Sequence, residues 1–109
     1  MSRPSAESVP SAMPSLLPPQ ALGAVASRFR VLSSPSRLQI LNALMQGPLS
    51  VGELVAATGL EQSNLSRHVA ALEQGGCVAR RREGQRVIVE VIDPTLKPLC
   101  EIVCGGLDV

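Results

Sequence analysis

Two thiols four residues apart, Cys100 and Cys104 in "KPLCEIVCGGL", are the pair in this chain best spaced for chemistry. On a helix, positions i and i+4 are neighbours on one face, so one soft metal or metalloid ion can reach both thiolates. Redox chemistry is a second reading. A disulfide there is awkward, because helical alpha carbons four apart lie about 6 Å from each other with side-chain vectors that fit a bridge poorly. Packing is the third reading, since both cysteines fall on the apolar stripe Leu96, Leu99, Cys100, Val103, Cys104. The remaining thiol, Cys77 in "GGCVARR", reads as a small buried hydrophobe before it reads as a ligand.

A second group of chemically useful residues lies in "QSNLSRHVAALEQGG". Leu65, Val69 and Leu72 repeat at helical spacing and face a core, leaving Gln62, Ser63, Asn64, Ser66, Arg67 and His68 on the exposed N-terminal half. Short or forked hydrogen-bonding side chains of this kind suit base edges and phosphates in a DNA major groove. The helix N-terminus adds backbone N–H groups and a positive dipole. His68 is the single histidine of the chain. One imidazole cannot close a zinc site, which takes about four ligands, so His68 reads as a phosphate contact or a solvated surface group.

The arginines follow directly, in "ARRREGQR". Residues 62–86 carry Arg67, Arg80, Arg81, Arg82 and Arg86 against Glu73 and Glu83, in a chain whose net charge is only +1. Positive charge is therefore local to this segment and suits a phosphate backbone. Strand alternation puts Arg80 and Arg82 on one face and Arg81 on the other. Arg80, Arg82 and Arg86 are accordingly the wing residues assigned to DNA.

The elements that position these groups are legible from periodicity and caps. Gln20–Leu32 shows one amphipathic face: Leu22, Val25, Ala26, Phe29 and Leu32. In "SSPSRLQILNALMQG", Ser34 suits an N-cap, Pro35 the first helical position and Gly47 the end, with Leu38, Leu41, Leu44 and Met45 facing inward. Ser50 and Glu53 have capping-box spacing ahead of a short helix that closes on Gly59. The helix Gln62–Gln74 follows and ends at Gly75–Gly76. The period then changes to that of two short strands, Val78–Arg82 and Arg86–Ile92, around a Glu83–Gly84–Gln85 turn. Asp93 and Pro94 open a last helix that runs to about Val103. Two short helices across a tight turn, followed by a hairpin, make a winged helix-turn-helix: mainly α, with a small β-hairpin.

Composition narrows the classes. At 109 residues the chain holds one small domain, residues 19–109, preceded by a Pro- and Ser-rich arm over residues 1–18 that reads as disordered or loosely attached. Phe29 is the only aromatic residue, and so thin a core favours burial against a second copy. No apolar run is long enough to span a membrane. Three unevenly placed cysteines fit a reducing cytoplasm better than a disulfide scaffold. The sequence contains no paired-carboxylate pocket, glycine-rich phosphate loop or nucleophile with a base, so an enzyme is not expected.

The stretches "VLSSPSRLQILNAL" and "LSVGELVAATGLEQSNLSRHVAALEQGGCVARRREGQRVIVEVIDP" resemble the ArsR/SmtB family of winged-helix repressors, a likeness covering about residues 21–104. The resemblance implies a homodimer built through the first and last helices and an operator that is an imperfect inverted repeat. It also implies release from DNA when an inducer binds. It makes Gln62–Gln74 the recognition helix and Arg80–Val87 the wing. Three of the family's sensing schemes do not map. Ser50 and Gly52 stand where an arsenic-sensing Cys-Val-Cys would be, the last helix has Asp93 nearby but no histidine for zinc, and the second helix has no cysteine for a persulfide pair.

What does map is the last-helix pair Cys100 and Cys104, placed by the resemblance at the dimer interface. Trivalent arsenic or antimony prefers three thiolates, and the third would come from the partner's last helix or from Cys77. The expected function is thus a cytoplasmic DNA-binding repressor released by As(III) or another soft ion, with no organic cofactor. A metal-independent or redox-responsive regulator is the alternative, and a winged helix that binds protein instead of DNA is a further one.

Overall fold

A computed structural model describes residues 17–106. The expected arm over residues 1–18 lies outside the described residues, apart from Leu17 and Pro18. Among the described residues five helices and three strands follow in the order α1 (Pro19–Leu32), α2 (Pro35–Leu44), β1 (Leu49–Ser50), α3 (Val51–Thr58), α4 (Gln62–Gln74), β2 (Val78–Glu83), β3 (Arg86–Val91) and α5 (Leu96–Gly106).

Local chemistry accounts for most of these boundaries. Pro19 and Pro35 occupy first helical positions, where a missing N–H costs nothing. The Ser34 hydroxyl accepts a hydrogen bond from the Arg37 amide at 3.3 Å and caps α2. The capping box ahead of α3 is complete: Ser50 Oγ accepts from Glu53 N at 3.0 Å and Glu53 Oε1 accepts from Ser50 N at 2.8 Å. Gly59 closes α3 at φ 74, a left-handed conformation that a Cβ would penalise. The hairpin registers Val78 on Val91 and Glu83 on Arg86, leaving Gly84 and Gln85 as its turn.

The core sits where α2, α3, α4 and the base of the hairpin meet. Ile40 and Leu41 of α2, Leu54 of α3 and Leu65 and Leu72 of α4 are fully buried, as are Cys77, Val89 and Leu96 within rounding. The helix α1 buries none of its residues within the protomer and leaves Leu22, Val25 and Phe29 exposed, the last at 58%. Ile102 and Val103 on α5 are likewise exposed.

Three expectations about the elements need correction. The sheet has three strands, ordered β1-β3-β2, because the two residues ahead of α3 pair with the free edge of β3 (Leu49 on Val89, Ser50 on Ile88). The inward face of α2 is carried by Ile40, Leu41 and Leu44, whereas Leu38 is 44% exposed. The last helix begins at Leu96 instead of Pro94, since the Asp93 carboxylate folds over the turn and accepts from Thr95 N at 2.9 Å and Thr95 Oγ1 at 2.7 Å.

Candidate nucleic-acid interface

Helix α4 and the hairpin face one another across a groove. Its walls include Ser50 and Gly52 at the start of α3, Gln62 and Ser66 on α4, and Arg80 and Arg86 on the hairpin, around about 420 Å³. Leu65, Val69 and Leu72 anchor the opposite side of α4 in the core. Its exposed N-terminal half is thereby fixed in orientation by packing, which is how a helix presents side chains to a groove with defined register.

Side chains that the sequence places in one group have different surroundings. Gln62 and Ser66 line the groove. Ser63 Oγ donates to Glu61 Oε1 at 2.9 Å, and Arg67 donates to Asn64 Oδ1. His68 is half-buried and its Nδ1 accepts from Arg37 Nε, on α2, at 3.3 Å. Burial lowers its pKa below the usual histidine value, and the Arg37 and Arg67 guanidinium groups push it the same way.

The wing arginines are not equivalent. Arg81 lies on the face opposite Arg80 and Arg82 and is held between Glu83 at 3.1 Å and Glu90 at 2.8 Å. Arg80 donates to Glu73, on the last turn of α4, at 2.8 Å, and Arg86 donates to Glu53 at 3.2 Å. These two pairs bridge each strand of the hairpin to the helix-turn-helix. Among the described residues the Arg82 side chain has no such acidic partner. Glu53 is doubly engaged: the Ser50 N–H bond chiefly holds its carboxyl below the usual range, against the opposing effect of burial, with Ser50 Oγ and Arg86 adding smaller pulls downward.

The cysteines separate. Cys77 is fully buried at the start of the hairpin, and burial pushes its thiol up, opposed by nearby Arg28; such a thiol stays protonated and packs. Cys100 is half-buried on α5 and lines a groove of about 430 Å³ with Asn42, Met45, Lys97 and Glu101. The side chain of Cys104 lies outside the described residues. Among the described residues no cluster of three or more His, Cys, Asp or Glu side chains is arranged to hold a metal ion. No helix described is long and apolar enough to cross a membrane.

Residues 34–80 match the family model described as "Bacterial regulatory protein, arsR family". The helix-turn-helix transcriptional regulator Rv0081 of Mycobacterium tuberculosis is 39% identical over 75 residues, which are 68% of this chain and 66% of that protein. A probable mercury resistance operon repressor of Streptomyces lividans is 34% identical over 71 residues, 65% of this chain and 57% of the relative. The chain thus spans about two thirds or less of the length of these two curated relatives. Among solved structures, the homodimeric winged helix-turn-helix DNA-binding domain Mb0332 of Mycobacterium bovis superimposes with a TM-score of 0.72 at 33% identity, over 85% of this chain and 88% of that one.

Proposed function

The chain belongs to the ArsR family of bacterial helix-turn-helix regulatory proteins, and on that premise we propose that it is a homodimeric repressor that leaves its operator when a thiophilic ion binds at the last helices. The observation that carries the DNA reading is the groove itself: the polar N-terminal half of α4 and the arginine side of the wing open onto one side of the protomer. In this reading Gln62, Asn64 and Ser66 meet base edges, while Ser63, Arg67, Arg80, Arg82 and Arg86 meet backbone phosphates. Exposed apolar residues on α1 (Leu22, Val25, Phe29) and α5 (Ile102, Val103) support dimerisation through those helices, since rows of that kind are normally covered. The operator is then an imperfect inverted repeat, its half-sites about 34 Å apart. The chain works in the cytoplasm.

The inducer reading rests on the donor set. Cys100 and Cys104 supply two soft thiolates one helical turn apart, and the partner's last helix supplies more across the two-fold axis. A thiolate pair of this kind fits As(III), Sb(III) or a comparable soft ion, and the likeness to a mercury resistance repressor supports a thiophilic effector. An ion bridging two α5 helices sets the angle between subunits, and a modest rotation takes one recognition helix out of register. The ion must bind the DNA-free dimer more tightly than the bound one, and that difference limits its effect.

The test is operator binding titrated with arsenite, antimonite, Cd(II) and Zn(II). At least one thiophilic ion should release wild type at concentrations that leave Cys100→Ser and Cys104→Ser bound. Equal behaviour of wild type and both variants with every ion would leave a regulator without a metal inducer.

A further inference from the structure

The single histidine of the chain accepts from an arginine that ties together three helices. Arg37, in the first turn of α2, donates from Nε to His68 Nδ1 at 3.3 Å and from Nη1 to the Val31 carbonyl at 3.2 Å. One guanidinium thereby links the last turn of α1, the start of α2 and the middle of the recognition helix. The same end of α1 also touches the far end of α4. A Cβ built on Gly75 would lie 3.0 Å from Val31 Cγ2, so a larger residue there would push on the Val31 side chain. The helix whose exposed row is assigned to the dimer interface therefore holds the recognition helix at two points.

From this geometry we propose that Arg37 is a positioning residue for the recognition helix, acting through His68 Nδ1 as acceptor, so that operator binding requires a neutral His68. The inference rests on the DNA reading of α4 given above. Arginine only donates, and it keeps its proton at any physiological pH. A neutral imidazole can accept at Nδ1, but a protonated one carries N–H on both nitrogens and cannot. Protonation thus replaces a hydrogen bond with two facing cations.

Among the described residues no carboxylate offsets that repulsion. The charged groups bearing on His68 are Arg37 from α2 and Arg67 from its own helix, both cations. The carboxylates of the adjoining elements are engaged elsewhere: Glu53 of α3 with Ser50 and Arg86, Glu73 with Arg80 of β2, and Asp93 with Arg28 of α1. The lowered pKa of His68 agrees with an imidazole held neutral. The sign separates this role from a direct phosphate contact. A histidine reaching phosphate would strengthen binding as it gained charge on acidification, whereas the Arg37 bond weakens it.

The experiment measures operator affinity by fluorescence anisotropy from pH 8.0 to 5.5 at fixed ionic strength, for wild type and His68→Asn, with thermal unfolding of the DNA-free proteins over the same range. Asparagine places a neutral oxygen near the Nδ1 position and does not titrate. Wild-type affinity should fall about tenfold on acidification through the range where histidine titrates. His68→Asn, whatever its affinity at pH 7.5, should show a flat profile across the range. Wild-type Tm should fall relative to His68→Asn as pH drops below about 6.5, because a group whose pKa is depressed by folding stabilises above its unfolded value and loses that contribution below it. Wild-type affinity that rises or stays level on acidification, or the same profile in His68→Asn, overturns the proposal. Should no operator binding occur at any pH, the Tm comparison alone decides it: parallel curves overturn it, and the failure then of the DNA reading is seen separately.

Discussion

Arg28 on α1 forms an ion pair with Asp93, the residue that folds over the start of α5, through Nη1 and Oδ2. The Asp93 side chain is 8% exposed and that of Arg28 37%, so the carboxylate depends on this one cation for its second oxygen. The pair joins the two helices whose apolar faces point outward. It also occupies the one acidic residue that the family resemblance would assign to a last-helix zinc site.

Removing the cation should therefore cost more than a surface pair would. Arg28→Met leaves a desolvated carboxylate with no counter-charge and should destabilise the fold by about 2 kcal/mol, with Asp93→Asn recovering part of that loss in the double variant. Chemical denaturation of the four proteins of the cycle measures it.

The capping box ahead of α3 gives a second measurable term. Ser50→Ala should cost about 1 kcal/mol by leaving the Glu53 amide without its cap, read as a lower unfolding midpoint at neutral pH. Because the folded protein holds the Glu53 carboxyl below its ordinary value near 4.5, the stability it contributes is present above that value and is lost as pH falls through the depressed one. Glu53→Gln should flatten that part of the acid-stability profile.

Core and outward rows should respond differently. Leu41→Ala and Leu72→Ala, each at a fully buried position, should cost about 2–5 kcal/mol apiece. Phe29→Glu, at a residue 58% exposed in the protomer, should leave helical content intact and shift sedimentation from dimer to monomer.

The wing arginines should divide by their partners. Arg82→Ala should weaken binding to operator and to unrelated duplex alike and reduce the slope of log K against log salt by about 1. Arg81→Ala, whose guanidinium is already held by Glu83 and Glu90 on the other face, should change that slope by much less.

Much of this arrangement was legible in the sequence because it is written in local chemistry. The Pro35 start, the Ser34 and Ser50 caps and the stops at Gly59 and Gly75 bracket helices whose limits depend on neighbours a few residues away. What escaped depends on distant partners. The strand Leu49–Ser50 is two residues long, carries no period of its own and exists because β3 offers an open edge. Leu38 and Ile40 are both apolar on α2, and only the packing of α3 and α4 decides that Ile40 is inside. Counting arginines correctly located positive charge but could not reveal that Arg80 and Arg86 are held by Glu73 and Glu53, one of them 33 residues away in sequence. Nor could it show that His68 faces Arg37, since the two lie on different helices 31 residues apart.

Selection from a pool of random duplex DNA with the purified wild-type chain tests the central claim most directly, repeated with a Gln62→Ala, Ser66→Ala, Arg82→Ala triple variant. Recognition by α4 and the wing of a dimer requires enrichment of an imperfect inverted repeat with half-sites about one helical turn apart, and loss of that enrichment in the triple variant. No enriched sequence at low salt, or the same sequence recovered equally by the variant, would contradict it.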